Sequence, residues 1–219
     1  MRIDIVTLFP GMVEPALSDS IVGRARARGI VDIRVHDLRD WAEGRHRVTD
    51  DTPFGGGGGM ILKPEPIAHC LESLRRPGAR VILLDPAGRR FTQDLARQLS
   101  QAQHLVLLCG RYEGVDERVR EHLADEELSI GDYVLSGGEA AALVVTETVT
   151  RLLPGALGDE AAPARDSFSR GLLEHPQYTR PEVFTQWAVP DVLRSGDHAR
   201  IDRWKRVMSV WRTWQRRRD

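Results

Sequence analysis

The chain has 219 residues, of which 41% are hydrophobic and 29% charged, as in an ordinary folded globular protein. No apolar run approaches the roughly 18 residues that a membrane-spanning helix needs, and the N-terminus lacks the pattern of a signal peptide. Cys70 and Cys109 lie far apart without a CxxC pair, so we expect a reduced, cytoplasmic protein with no membrane span.

The net charge is −1, but the basic residues are distributed unevenly. Only two of the 31 are Lys, and Arg suits the recognition of phosphates and bases, although a genome rich in Arg codons explains this bias equally well. Residues 200–219 contain eight basic side chains against Asp202 and Asp219. A basic tail on a nearly neutral protein predicts an acidic partner.

Strand and helix patterns alternate from the N-terminus. Residues 2–8 and 31–35 have the composition and alternation of strands, and residues 12–28 between them favour a helix that ends before Gly29. Further strands are predicted over 80–84, 104–109 and 128–130, and helices over 65–75, 93–100, 115–123 and 139–153. This rhythm predicts an α/β fold with a parallel sheet.

Residues 44–60 form the longest predicted loop and contain five consecutive glycines, 55–59. No Gly-Lys-Ser/Thr follows them, and Met60 replaces the last glycine of a dinucleotide-binding fingerprint, so both phosphate-binding motifs fail. Two interpretations remain open. The loop is either a flexible surface linker or a lid that becomes ordered on substrate.

Three glycine-containing turns follow predicted strands, at residues 85–88, 110–114 and 131–138. In open α/β sheets ligands bind at the carboxyl ends of strands, and glycine lets backbone groups approach a ligand closely. Ordinary turns are the alternative. The polar side chains of the turns include Tyr112, Glu113, Asp132 and Tyr133. A pocket of this composition suits a neutral or cationic heterocycle better than a polyphosphate.

The C-terminal part has a different character. Residues 156–175 are small and polar and predict a linker, and residues 197–218 predict a helix. Apolar residues recur in that helix at spacings of three and four, namely Ile201, Trp204, Met208, Trp211 and Trp214. We interpret this stripe as core packing and the basic residues on the other faces as candidates for RNA contact.

Two charged residues stand outside the turns. Arg151 ends the predicted helix 139–153, where a positive charge is favoured by the helix dipole, and Asp166 could cap a helix from Ser167 onward. These structural roles are alternatives to catalysis. The seven histidines show no metal-ligand spacing, and Ser136 is not in a GxSxG motif, so we predict no protein-bound metal site and no serine nucleophile.

Several segments resemble one family, the bacterial tRNA (guanine-N1)-methyltransferases of the TrmD type. The resemblance covers residues 1 to about 215 in order. Its segments are LFPGM (8–12), CGRYEGVDERV (109–119), SIGDYVLSGGE (129–139), RLLPGALG (151–158) and DSFSRGLLEHPQYTRPEVF (166–184). Two departures are Asp85-Pro-Ala-Gly88 in place of Ser/Thr-Pro-Gln-Gly, and Ala140-Ala141 where the family often has a proline.

The resemblance implies a SPOUT-type fold with a deep C-terminal trefoil knot. It implies a knotted domain over 1–157 that binds S-adenosylmethionine, a linker over 158–173 and a small helical tRNA-binding domain over 174–219. It also implies a homodimer with a shared active site. The implied cofactor-binding residues are Leu83, Leu84, Pro86, Gly110, Tyr112, Glu113, Gly114, Ile130, Gly131, Asp132, Tyr133, Val134, Leu135, Gly137 and Gly138.

The implied reaction is methylation of N1 of the tRNA guanosine immediately 3′ of the anticodon, position 37. Asp166 matches the family's general base, and Arg151 matches the residue that stabilises negative charge on O6. The family also implies Mg²⁺, for which the sequence contains no evident site. Two other functions remain open: an RNA-binding protein of this fold without turnover, and a SPOUT enzyme acting on ribosomal RNA or a ribose 2′-OH.

Overall fold

The structure, a computed structural model, describes residues 1–218 and is built around a five-stranded parallel sheet. The strands of the first 160 residues are β1 (Arg2–Thr7), β2 (Asp32–Asp37), β3 (Asp50–Asp51), β4 (Ile61–Leu62), β5 (Ala79–Arg90), β6 (His104–Cys109) and β7 (Glu126–Ser129). The sheet has the order β2-β1-β6-β5-β7, and β3 pairs only with β4. The predicted α/β class and parallel sheet are confirmed.

Helices cover both faces of this sheet. They are α1 (Pro10–Val13), α2 (Ser20–Ala27), α3 (Pro64–Leu74), α4 (Gln93–Leu99), α5 (Glu117–His122) and α6 (Glu139–Thr150). Alternate residues of β6 face opposite clusters: Leu105 and Leu107 pack with residues of α2, α4 and α6, and Val106 and Leu108 with residues of α3 and α5. Every residue of β6 is buried, which explains why its sequence is an almost continuous apolar run.

The single helix predicted over residues 12–28 is wrong. The chain forms α1, a 3₁₀ turn over Pro15–Leu17, and then α2. Pro15 has no N–H to continue a helix, and Asp19 is extended before Ser20 takes a left-handed φ of 58°. The chain folds back closely here, since a Cβ on Gly23 would lie 2.1 Å from the carbonyl oxygen of Ser18.

The turn predicted after residue 84 is also different in the structure. Strand β5 continues to Arg90, and its pairing with β7 shifts register between Leu84 and Arg89. Gly88 lies in this irregular stretch, where an added Cβ would come within 2.3 Å of the backbone nitrogen of Leu128. Residues 85–88, predicted as a turn, therefore interrupt the pairing of β5 with β7, and Gly88 lies very close to the β7 backbone.

The chain divides into two compact units, Met1–Glu160 and a second that begins at Ala161. The second contains α7 (Ala162–Arg165), a hairpin of β8 (Val183–Phe184) and β9 (Trp187–Ala188), α8 (Asp191–Arg194) and α9 (His198–Arg216). The segment predicted as a linker, 156–175, thus contains a short helix. Asp219, the last residue of the predicted tRNA-binding domain, lies outside the described residues.

The core-packing interpretation of the α9 stripe is wrong for its C-terminal half. Trp211 and Trp214 are 49% and 61% exposed, and no residue of α9 within the described chain is fully buried. Trp204 is partly covered, with its ring 6.3 Å from that of His175 and 6.4 Å from that of Tyr178. A spacing of three and four places residues on one face but does not determine what covers that face.

A buried carboxylate, Asp4, lies in β1 between its two neighbouring strands. His36 Nε2 is 2.7 Å from one oxygen, His104 Nε2 is 2.6 Å from the other, and the Arg2 guanidinium contacts both. Burial raises the pKa of this carboxyl, but hydrogen bonds from His36, Arg2 and His104 outweigh burial and hold it well below its usual range. Asp4 is therefore a buried carboxylate anion in the folded protein, and its hydrogen bonds connect β1 to β2 and β6.

We expect Asp4→Asn to destabilise the protein by about 3–5 kcal/mol at pH 7, because it removes one partner of a buried charge cluster. A carboxyl with a depressed pKa contributes stability above its unfolded pKa, about 3.9, and loses it as pH falls toward the folded value. The difference in the free energy of unfolding between wild type and Asp4→Asn, measured with urea, should therefore shrink below about pH 4.

Asp94→Asn is the matched control for this prediction. Asp94 also pairs with an arginine, Arg97, but its side chain is 80% exposed, so we expect an effect below about 1 kcal/mol at every pH. A wild-type advantage over Asp4→Asn that stays constant from pH 7 to pH 3 would contradict the assignment.

Candidate functional site

A cavity lies at the carboxyl ends of β6 and β7 and beside the irregular stretch of β5, where the three glycine-containing segments meet. Almost all the residues that the resemblance implies for cofactor binding line it: Leu84, Pro86, Gly110, Tyr112, Glu113, Gly114, Ile130, Gly131, Tyr133, Val134, Leu135, Gly137 and Gly138. Leu83 and Asp132 are not among the lining residues. Leu83 alternates to the opposite side of β5 and is fully buried in the cluster that packs on α3 and α5.

Sequence reasoning missed six further residues of the lining. They are Asp85, Arg111, Leu128, Ser129, Ser136 and Ala141. Asp85, Arg111 and Ser136 lie inside the three glycine-containing turns, so the turns themselves were the available signal. The other three lie at the end of β7 and in the first turn of α6, where only the folded chain shows that they face the cavity.

The segment after β6 makes a tight turn. The N–H of Gly114 donates to the carbonyl of Arg111 over 3.0 Å, and Tyr112 has a left-handed φ of 59°. A residue with a large side chain is uncommon in this conformation and costs free energy that the surrounding structure must supply. The turn leaves the Tyr112 ring half-exposed at the cavity.

The segment after β7 is shaped by close backbone contacts. The hydroxyl of Ser129 accepts a hydrogen bond from the N–H of Gly131 over 3.2 Å. A Cβ on Gly131 would lie only 2.4 Å from Cε1 of the Tyr133 ring. The N–H of Gly138 donates to the carbonyl of Gly110 over 2.9 Å. A Cβ on Gly138 would come within 2.7 Å of Cys109 Cα, so this approach requires glycine.

A buried polar contact fastens these segments to the first strand. Glu139 begins α6 and is only 2% exposed, and the hydroxyl of Thr7 donates to its Oε1 over 2.7 Å. The Arg111 guanidinium lies 4.0 Å from the other oxygen of Glu139 and 4.3 Å from the centre of the Phe9 ring. Glu139 therefore connects the start of α6 both to β1, through Thr7, and to the segment after β6, through Arg111.

Cys109 lies at the end of β6, behind the cavity wall. Complete burial, with the nearby Glu139 carboxylate, raises the pKa of its thiol well above the ordinary value. Because the thiolate is the nucleophilic form, Cys109 is not a candidate nucleophile. The cavity is instead a site made mainly of backbone groups, apolar side chains and two tyrosines, which can hold a planar heterocycle through backbone hydrogen bonds.

The glycine-rich loop is joined to this cavity at its C-terminal end. The N–H of Glu113 donates to the carbonyl of Met60 over 3.0 Å, and the N–H of Leu62 donates to the carbonyl of Gly114 over 3.0 Å. A Cβ on Gly59 would lie 2.5 Å from Glu113 Oε1. The loop is therefore anchored directly to residues that line the cavity.

Arg151 and Asp166 lie in different units. Arg151 is the C-terminal cap of α6, as the helix-dipole interpretation expects, and its N–H donates to the carbonyl of Glu147 over 3.1 Å. Asp166 directly follows α7, and its N–H donates to the carbonyl of Ala162 over 3.2 Å. The alternative role of Asp166 as a helix N-cap is wrong, because residues 167–170 form turns.

Within residues 1–218, no group of three or more His, Cys, Asp or Glu side chains is placed to hold a metal ion. No helix in the same range is long and apolar enough to cross a membrane.

Comparison with known proteins identifies the family. Residues 1–219 match the model of the family described as tRNA (Guanine-1)-methyltransferase TrmD. Proteins named tRNA (guanine-N(1)-)-methyltransferase from Geobacillus kaustophilus and Syntrophotalea carbinolica are each 55% identical over 221 residues, covering 100% of this chain and 91% and 89% of the relatives. One from Dehalococcoides mccartyi is 53% identical over 222 residues, covering 100% of this chain and 90% of the relative. The chain therefore belongs to the TrmD family of tRNA (guanine-1)-methyltransferases.

Proposed function

We propose that this enzyme uses S-adenosylmethionine to methylate N1 of the tRNA guanosine immediately 3′ of the anticodon, position 37, in the cytoplasm. One observation carries the proposal: the segments with the family's most specific sequences converge on one cavity at the carboxyl ends of β6 and β7. This is the position where open parallel sheets bind ligands.

The cavity fits the proposed cofactor. Its lining is rich in glycine and exposed backbone groups, which suit the hydrogen-bonding edge of an adenine, and its apolar walls suit the faces of that ring. Glu113 lies at the end nearest the glycine-rich loop and provides a carboxylate for a cationic group. When bound, S-adenosylmethionine supplies the methyl group.

The proposal includes the family's architecture. The three segments around the cavity would form the trefoil knot of the SPOUT fold within residues 1–157, residues 158–173 would be the linker between this domain and the next, and residues 174–219 would be the tRNA-binding domain. The enzyme would act as a homodimer with a shared active site. The cationic side chains of α9, which include Arg203, Lys205 and Arg206, support a role in binding an RNA backbone.

The chemistry assigned to the chain concerns one proton and one developing charge. Guanine N1 carries a proton at neutral pH and is a poor nucleophile until that proton leaves. We assign its removal to the carboxylate of Asp166, and we assign Arg151 to stabilise the negative charge that then develops on O6. The target base must leave its stack to reach the cavity, so the reaction requires base flipping.

The test is methyl transfer from labelled S-adenosylmethionine to two unmodified tRNA transcripts that differ only at position 37, one with guanosine and one with adenosine. We expect label on the guanosine transcript alone, located at N1. Label on neither transcript, with cofactor binding intact, would favour an RNA-binding protein or an enzyme for ribosomal RNA. Label on both, or on a ribose, would mean that the target atom is wrong.

A further inference from the structure

Phe54 is a large apolar side chain that the fold leaves completely exposed. It immediately precedes the five glycines in the loop between β3 and β4. A single exposed apolar residue needs no functional explanation by itself. The backbone conformation of this loop and its hydrogen bonds to residues that line the cavity suggest a function for the exposed Phe54 side chain.

The glycines next to Phe54 are required by backbone conformation and not by packing. Gly55, Gly56 and Gly57 have φ values of 89°, 78° and 119°, and a Cβ on any of them would meet nothing within 4 Å. The Cβ positions of these three glycines therefore face open space, and their φ values are ones that residues with side chains rarely adopt. Gly59 is the opposite case, because its Cβ position is occupied by the Glu113 side chain.

The far end of the loop confines Phe54 to the neighbourhood of the cavity. Backbone hydrogen bonds from Glu113 to Met60 and from Leu62 to Gly114 fix the end of the glycine run to the cavity wall. Gly59 is five positions after Phe54, and a fully extended chain over that interval spans at most about 18 Å. Phe54 is thus an aromatic ring that lies a short stretch of chain away from Gly59, and Gly59 contacts Glu113 of the cavity lining.

We propose that Phe54 stacks on the target guanine once that base has left the RNA stack, so that the loop closes over the site with an aromatic ring facing the base. This inference rests on the proposed function. A flipped base loses its stacking neighbours, and an aromatic side chain restores a stacking contact to any base face.

The loop favours this role over that of a wedge inserted into the gap in the RNA. A wedge must push neighbouring bases apart, which requires a rigid support behind it. Phe54 is followed by three glycines whose Cβ positions face open space, and glycine restrains the backbone less than any other residue, which favours a side chain that aligns over one that wedges. A stacking partner needs only to be near and free to align.

The test compares Phe54→Leu with Phe54→Trp in the full-length enzyme. Leucine keeps an apolar side chain but has no ring face, whereas tryptophan keeps the face. Since stacking on one base is worth about 1–3 kcal/mol, kcat/KM for tRNA should fall about 5- to 150-fold in Phe54→Leu and stay within about threefold of wild type in Phe54→Trp. The Kd for S-adenosylmethionine should stay within about twofold in both variants, since the proposed contact is with the base.

A second readout does not depend on methyl transfer. A tRNA carrying 2-aminopurine at position 37 reports stacking by its fluorescence, which stacked aromatic neighbours quench. We expect the complex with Phe54→Leu to be brighter than the complexes with wild type and Phe54→Trp.

The two readouts separate the failure of this inference from the failure of the proposed function. If the wild-type enzyme transfers no labelled methyl group to N1 of guanosine 37, the proposed function is overturned. Equal fluorescence in all three complexes overturns the stacking role, whether or not the wild type methylates tRNA. Normal wild-type methylation with Phe54→Leu within twofold of it overturns the stacking role alone.

Discussion

Replacing Asp166 by Asn is expected to lower the rate of tRNA methylation by about 100- to 10,000-fold, the range typical of a lost general base. Asparagine has the same size and can still form hydrogen bonds, but it cannot take the N1 proton. Because Asp166 lies in the second unit, outside the cavity of the first, the Kd for S-adenosylmethionine should not change. Single-turnover methylation and calorimetric cofactor titration measure the two quantities separately.

The pH dependence separates a chemical role of Asp166 from a structural one. Raising the pH removes the N1 proton without enzymatic help, so the rate of Asp166→Asn should rise with pH more steeply than that of the wild type. Asp191→Asn is the control, since Asp191 is in the same unit, 97% exposed and outside the proposed chemistry. A rate deficit that is the same at every pH, or a matching loss of cofactor affinity, would refute the assignment.

Gly88→Ala is expected to destabilise the first unit by about 3 kcal/mol or more, at the upper end of what overpacking costs. The added Cβ would lie 2.3 Å from Leu128 N and 2.5 Å from Glu127 C, both backbone atoms that no rotamer change can move. Relief requires β5 and β7 to separate, and Leu128 lines the cavity at that point. Cofactor affinity should therefore fall together with the free energy of unfolding in urea.

Gly11→Ala is the matched control for Gly88→Ala. An added Cβ on Gly11 would meet nothing within 4 Å, and Gly11 lies in α1, where alanine is the better helix former by about 1 kcal/mol. We expect Gly11→Ala to leave stability unchanged or slightly higher. Equal effects of the two substitutions would show that the close crossing of β5 and β7 does not constrain the fold.

Local patterns in the sequence were sufficient to predict that three turns after strands converge on one cavity, whereas the individual binding residues came from the family resemblance. The buried run of β6 is apolar because both faces of a central parallel strand are covered, and glycines after β6 and β7 mark close backbone approach. Thr92 stands just before the helix predicted over 93–100, where threonine favours a cap, and its hydroxyl accepts a hydrogen bond from the N–H of Leu95 over 3.3 Å. Such features depend on residues close together in the chain.

Features that depend on distant residues were not predictable in this way. The continuation of β5 past Asp85 depends on how β7 lies beside it, and the position of Leu83 behind the cavity depends on which face of β5 points inward. The exposure of Trp211 depends on what packs against α9, which a helical spacing does not specify. The buried charge cluster of Asp4 was not predictable either, since its histidine partners come from β2 and β6.

The order of strands has a consequence for synthesis on the ribosome. Strand β1 is made first and can pair with β2 early, but its other edge pairs with β6, beginning at Arg2 opposite His104. At about 5–20 residues per second, that edge waits about 5–20 s for its partner. An unpaired apolar strand edge readily joins other chains. The nascent chain is therefore most vulnerable to aggregation in this interval, and completion of the sheet follows the emergence of β6.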